Sequence, residues 1–405
     1  MEKKNFFPEQ QWAFRKNRGV HQGIFSLRRL GEQAKKFGMD IFYCFVDIVK
    51  AYDTVNRAAL IRVLRNLGIP DKMVSLIDDW HTNNFSKVKM NGQLSNSFAN
   101  NVGVRQEDVL APLLFNIWFT VIINETERKL KETVPAFGTT GFGVPYGFAE
   151  RFADNSSNSS WAGFEESIFT KSTGSSFAWF NQAGFVTKWL WSLLYADDAA
   201  LCDVNVSNLQ TMLTVFTETA ADFGMVVSKA KTEVMHQTNL GSVEDRASNK
   251  LLFRDPLYST LLDVIKIGDF AVVETFVFKY LGSQFERGGD METEIARRRI
   301  QLAWVNFNMF RLDVFTNEQM DLHIRCRLYK TVVQTTLLWD CNNWGVLNQS
   351  QLSKISSANH AMLLRILGRS YFDHLTHEQV AYQTKHQHKL FNEFTSEYLD
   401  EKDFY

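Results

Sequence analysis

Two apolar runs that each end on acid constrain this chain more than any other feature. Ile41 to Val46 (IFYCFV) is short, continuous and apolar, the pattern of a buried strand, and Asp47 closes it. Far downstream, Leu193, Leu194 and Tyr195 lead into Ala196-Asp197-Asp198, and Ala199 to Cys202 lead away. That arrangement reads as a hairpin with two acids at its tip. Asp is common in turns, so an Asp-Asp pair alone is ordinarily a turn signal. Here apolar residues flank it on both sides. Neighbouring carboxylates repel, and a bound cation is the usual reason for a fold to tolerate them. A strand-end Asp beside the hairpin pair would assemble three carboxylates. Such oxygen donors suit Mg²⁺, which completes six ligands with water and phosphate oxygens.

The remaining chain reads as a folded protein of two or three domains. It has 405 residues, 45% hydrophobic and 22% charged, which excludes wholesale disorder. No run reaches the ~18 apolar residues of a membrane span, and no secretory signal is visible, so the expected location is intracellular, in nucleus or cytoplasm. Cys44, Cys202, Cys326 and Cys341 lack zinc-like spacing and read as free thiols. The net charge of −1 gives no global signal for nucleic acid. Locally, residues 1–36 hold nine basic side chains against three acidic ones, as a phosphate-binding face requires.

Periodicity predicts helices at about 22–37, 56–67, 110–123 and 206–223, with Gly68 and Pro70 stopping the second. Asn91-Gly92 after Lys87–Met90 predicts a hairpin. Short strands are expected at about 225–228 and 263–285, and helices at about 290–312, 317–336 and 350–367. Residues 133–190, with the polar tract Asp154 to Ser160, have no clear period and read as a long, partly disordered insertion.

The wording of these segments resembles the reverse transcriptases of non-LTR (LINE-like) retrotransposons. Phe45 to Arg57 (FVDIVKAYDTVNR) is similar to the first palm motif, and Leu194 to Asp198 (LYADD) to the YADD hairpin. Val102 to Gln106 with Leu110 to Asn116 resembles GVRQG-x-x-LSPLLFN. Gly224-Met225 with Lys231-Thr232 resembles the lysine-bearing motif, Phe278 to Ser283 (FKYLGS) the primer grip, and Gln11 to Gly19 the QxGFRxGRS fingers motif. These six motifs run in the family's order over about residues 9–285.

The resemblance implies an α+β right-hand polymerase: partial fingers (1–36), a palm with an antiparallel sheet (37–285, carrying the 133–190 insertion), a helical thumb (286–370) and a tail (371–405). It implies an RNA-directed DNA polymerase that uses two Mg²⁺ ions, with Mn²⁺ as an alternative, and takes an RNA template, a DNA primer and dNTPs. Asp47, Asp197 and Asp198 would hold the metals, and the Ile48 carbonyl would add a ligand. Tyr52 would be the steric gate against the 2′-hydroxyl, and Arg105 and Gln106 would meet the incoming nucleotide. Lys231 would neutralise or protonate the leaving pyrophosphate, and Arg15 and Arg18 would grip phosphates. Tyr280, Leu281 and Gly282 would form the primer grip, while Arg297, Arg298, Arg299 and Lys330 would follow the duplex backbone.

The sequence also departs from the family. The chain begins within the fingers motif, with no endonuclease domain before it and no zinc knuckle after it. Glu107-Asp108 stands where the family has Gly and then commonly Cys, and Ala111 replaces the Ser before Pro112. These departures lead to an expectation of weak or absent activity. They keep a rival reading open, a catalytically dead remnant that at most binds nucleic acid. A splicing-associated maturase would share the fold, but FKYLGS and LLYADDAAL point away from it.

Overall fold

The computed structural model describes residues 6–36, 38–82, 84–105, 108–134, 137, 143–149, 185–237, 265–289, 291–345 and 347–384. The chain divides into two compact units. The first comprises residues 1–150 and 180–276, and the second takes in the chain from Val277 onward.

The first unit is built on a five-stranded sheet. Its strands are β1 (Ile41–Val46), β2 (Ser192–Tyr195), β3 (Asp198–Asp203), β4 (Glu233–Gln237) and β5 (Val273–Glu274), in the order β5-β4-β1-β3-β2. All neighbours are antiparallel except β4 and β5. The central strand, β1, is buried at every position, as its unbroken apolar run requires. The sheet's helices are α1 (Val20–Lys36), α2 (Arg57–Asn66), α3 (Asp71–His81), α4 (Ala111–Thr133) and α5 (Val206–Asp222).

One face of β1, through Phe42, Cys44 and Val46, joins a core with Phe115, Trp118 and Phe119 of α4 and Leu209, Met212 and Phe216 of α5. Burying side chains of this size contributes roughly 1.5–3 kcal/mol each, so this packing fixes where the ends of β1 and β3 lie. On the other face, Tyr43 Oη donates to Gln237 Oε1 (3.5 Å), and Gln237 Nε2 donates to the Gly31 carbonyl of α1 (2.9 Å).

Several expected elements shift. α4 runs ten residues beyond the expected 123, because Thr126 and Leu130 continue its buried stripe. α3 has no counterpart in the sequence reading, since only Val74 and His81 on it are buried. Residues 225–228 form no strand and meet the chain just past β1 through a single bridge, Ile48 to Val227. Strand β4 was also unexpected; its polar residues His236 and Gln237 are buried and satisfied by partners. The expected insertion at 133–190 contains an antiparallel pair, Val144–Ala149 with Phe185–Leu190; the polar tract lies outside the described residues.

The second unit opens with a hairpin, β6 (Val277–Tyr280) and β7 (Ser283–Glu286). Helical segments follow, including Thr293–Arg299, Ile300–Met309, Leu322–Leu328 and Gln349–Ile366. Its core is aromatic, with Phe307 and Phe315 stacked at 4.9 Å and Tyr329 edge-on to both. The hairpin belongs to this unit, ahead of the boundary expected near 286, because the following helix holds it. Buried Glu294 accepts Gln284 N (2.6 Å), and Arg298 and Arg299 both donate to the Gly282 carbonyl (3.0 and 2.6 Å).

Among the described residues no helix is long and apolar enough to cross a membrane.

Candidate active site

The sheet register brings the separated acids together. Val46 pairs with Ala199 and Tyr195 with Asp198, so the next step along β1 sets Asp47 opposite Asp198. The end of β1 is tied down on its other side. Val49 N donates to Val226 O (2.9 Å), Ser228 N donates to Asp47 O (2.7 Å), and Asp47 N donates to Thr232 Oγ1 (3.5 Å). Ile48 is buried between these ties. The same loop delivers Lys231, whose exposed ammonium lies 3.6 Å from Asp47 Oδ2.

Electrostatics reports the same proximity. Asp198 is solvent-exposed at the hairpin tip, yet the protein around its carboxyl, then Asp197, then Asp47 push it up to about 6. Burial, followed by Asp47, also raises Asp197 against a backbone hydrogen bond that lowers it. The tip is a two-residue turn with Ala196 in the left-handed region (φ 54°). Gln11, almost completely buried, brackets that residue: its Oε1 accepts Ala196 N (3.1 Å) and its Nε2 donates to Ala196 O (3.4 Å).

Beside the acids stands Tyr52, half-buried in the short helical turn Ala51–Thr54 and stacked on Phe115 at 4.3 Å. Burial, then Asp197, then Tyr195 push its hydroxyl up to about 12, so the ring lies in the field of the hairpin acids. The loop that follows the short paired strands Phe85–Ser86 and Phe98–Ala99 docks on this turn. Gly103 N donates to Val55 O (2.9 Å) and Val104 N to Tyr52 O (2.8 Å). A Cβ on Gly103 would lie 2.6 Å from the Asp53 Cα, and its φ of 80° also selects glycine. Arg57 secures the loop by donating to the carbonyls of His81, Asn100, Val102 and Gly103. Arg105, one residue past Val104, is exposed.

Gln106 and Glu107 lie outside the described residues. Asp108, which stands where the family commonly has Cys, is held by two partners. Its Oδ2 accepts Trp80 Nε1 (2.7 Å) and its Oδ1 accepts Leu110 N (3.1 Å), an anchor at the start of α4.

The two fingers arginines serve local structure. Arg15 donates to Pro8 O (2.7 Å) and its guanidinium lies over the Phe7 ring. Arg18 pairs with Glu9 and lies over Trp12. In the second unit, the Leu281-Gly282 turn has both central residues at positive φ (49° and 85°), as a tight hairpin of type I′ requires, and Tyr280 beside it is buried. Arg298 and Arg299, expected along a duplex, instead hold this turn: Arg299 is buried, paired with Glu294 and stacked over Trp339 at 4.3 Å. Arg297 is exposed and Lys330 half-buried. The sequence reading gave no role to Gln11 or Arg57, although both stand inside the motifs it quoted; their importance depends on carbonyls that only the fold brings near.

The donor set has the right chemistry for a hard cation. Asp47 Oδ2 is a buried oxygen with no hydrogen-bond partner, and three carboxylates share one field. Among the described residues, however, no three His, Cys, Asp or Glu side chains are grouped closely enough to hold a metal as they stand. The fit is therefore one of chemistry and backbone placement, with the carboxylates not converged.

Comparison with known proteins agrees with the motifs. Residues 1–145 match the family described as Reverse transcriptase (RNA-dependent DNA polymerase). The match contains Asp47 and Tyr52 and stops before the hairpin acids. The chain is 34% identical over 95 residues to the retrovirus-related Pol polyprotein from type-1 retrotransposable element R2 of Popillia japonica. It is 28% identical over 113 residues to its counterpart from Bradysia coprophila. These stretches cover 24% and 27% of this chain, and 15% and 13% of the relatives' length. A telomerase from Candida tropicalis, solved with a fragment of telomeric RNA, aligns over 91% of this chain and 52% of its own. That alignment has 11% identity and a TM-score of 0.34. Residues 1–145 are thus similar to the reverse transcriptase family, and the matched relatives are Pol polyproteins from type-1 retrotransposable element R2, of whose length this chain spans about one seventh.

Proposed function

We propose that this chain is the polymerising core of a non-LTR reverse transcriptase, acting inside the cell to extend a DNA primer with dNTPs on an RNA template. The observation that carries this reading is the placement of Asp47, at the end of β1, opposite Asp198 and beside Asp197 on the β2–β3 turn. Asp47, Asp197 and Asp198 would hold two Mg²⁺ ions, with Mn²⁺ as an alternative. When bound, such ions activate the primer 3′-hydroxyl and stabilise the leaving pyrophosphate.

The other residues have roles that follow from their positions. Tyr52, held flat by Phe115, would present its ring beneath the nucleotide sugar and exclude a 2′-hydroxyl. Lys231, beside Asp47, would transfer its ammonium from that carboxylate to the pyrophosphate as charge develops there. Arg105, with Gln106 next to it, would meet the triphosphate from the loop docked on Tyr52. Tyr280, Leu281 and Gly282, stiffened by Arg298 and Arg299, would receive the primer end.

The test is incorporation of labelled dNTP on a primed RNA template. Incorporation should require template, primer and divalent cation. A folded chain that binds the primed template yet incorporates nothing, even with Mn²⁺, supports the remnant reading instead.

A further inference from the structure

We propose that Gln11 is a positioning residue for the acid-bearing turn, holding Ala196 in its left-handed conformation and so aiming Asp197 and Asp198. An L-residue other than glycine at positive φ is strained by roughly 1 kcal/mol or more, and persists when the surroundings over-determine it. Ala196 is such a residue, at φ 54°, and it directly precedes Asp197. Gln11 supplies the restraint. One carboxamide bonds both the N–H and the C=O of this single residue, at 3.1 and 3.4 Å. Among the described residues, no other side chain bonds the Ala196 backbone.

The clamp is itself rigid. Gln11 Oε1 also accepts Ala13 N (2.9 Å), and Asn116 Nδ2, fully buried on α4, donates to Ala13 O (3.1 Å). The backbone on either side of Gln11 pairs with β2: Leu194 N donates to Gln10 O and Trp12 N donates to Leu194 O, both at 2.9 Å. The 10–13 segment is thereby fixed to the strand that enters the turn and to the helix beneath the sheet. Its own geometry transmits to Asp197 with no intervening flexible group. The clamp stands on these contacts alone; its consequence for cation binding rests on the polymerase reading above.

The test uses the full chain and the variants Gln11→Ala, Ala196→Gly and the double change. Two readouts are taken: hydrogen–deuterium exchange of the 192–200 segment, and Mn²⁺ binding followed by the loss of the free-ion EPR signal. Gln11→Ala should speed exchange at the turn roughly tenfold, as expected for losing a buried hydrogen bond. It should weaken Mn²⁺ binding by roughly the same factor, because the carboxylates lose their alignment. Adding Ala196→Gly should restore Mn²⁺ affinity to within about threefold, since glycine adopts the left-handed region without a clamp. A merely structural Gln11 predicts no such rescue. Unchanged exchange and affinity in Gln11→Ala, or failure of the glycine to rescue a folded protein, would overturn the proposal. If Gln11→Ala does not fold, Gln11→Glu replaces it: the acceptor for Ala196 N is kept but the donor to Ala196 O is lost, so exchange at the turn should still speed several-fold, and exchange unchanged from the parent counts against the clamp. If the parent chain binds no Mn²⁺ while the turn still loosens in Gln11→Ala, the clamp stands and the polymerase reading fails.

Discussion

Asp198 sits exposed at the tip of a hairpin, yet its carboxyl is pushed up to about 6 by the protein around it and by Asp197 and Asp47. A raised carboxylate value means that the folded state holds its proton more tightly than the unfolded state. The associated stability is present below about pH 4 and is lost as the pH climbs through about 6. Asp198→Asn should therefore leave stability nearly unchanged at pH 4 and raise it by about 1 kcal/mol at pH 7, a figure reduced for solvent screening. Urea unfolding at both pH values checks this; a gain independent of pH would place the repulsion elsewhere. Tyr52 gives a second residue-scale expectation. Its ring is held at 4.3 Å against Phe115 and lies near Asp197. Tyr52→Ala should raise ribonucleotide incorporation relative to deoxyribonucleotide by roughly tenfold or more, because the collision with the 2′-hydroxyl is removed. An unchanged ratio in a folded variant removes Tyr52 from the site.

Among the elements, legibility followed the simplicity of the burial. β1 was readable to the residue because both its faces are covered and every position is apolar. The β2–β3 hairpin was readable because apolar strands bracket a polar tip. β4 was not, since Glu233, His236 and Gln237 break the pattern of a buried strand; His236 is satisfied by Asp40 on the loop before β1 and Gln237 by Gly31 on α1, far away in sequence. The acids of the site were legible for the same reason as their strands. Gln11 and Arg57 were not, because what they bind is backbone, and backbone carries no signal in the sequence. Gly103 lies between the two cases. Its glycine is dictated by contact with Asp53 on the turn that carries Tyr52. Gly103→Ala should cost about 2–4 kcal/mol through backbone strain and steric displacement. It should also increase exchange in the 52–55 turn; a variant as stable as the parent would show that the loop is not seated there.

Across the whole molecule, two separate cores carry two kinds of information. The first holds the acids, Tyr52 and the loop docked on its turn around one sheet. The second holds a hairpin whose turn is braced by Glu294, Arg298, Arg299 and Trp339. The basic residues of the leading segment and of the second unit therefore contribute less free charge than their number suggests. Arg15, Arg18, Arg298 and Arg299 are committed to carbonyls, acids or rings. The altered loop is the other whole-molecule question. With Asp108 anchored to Trp80 and Leu110, Glu107 is left as the change to reverse. Glu107→Gly alone should increase primer extension by about tenfold, the worth of ~1.4 kcal/mol in nucleotide affinity. No gain, with efficient extension by the parent, would mean that the loop is harmless.

The proposed polymerase activity depends most on Asp47 and the hairpin acids forming one reactive centre. The direct measurement is primer extension on an RNA template with Mg²⁺ and dNTPs, comparing the parent chain (or Glu107→Gly, if that is the more active) with Asp47→Asn and Asp198→Asn. The register predicts that each substitution, made at either end of the pairing, reduces extension by at least about a thousandfold while the protein stays folded and still binds the primed template. Extension that survives either change would contradict a shared centre.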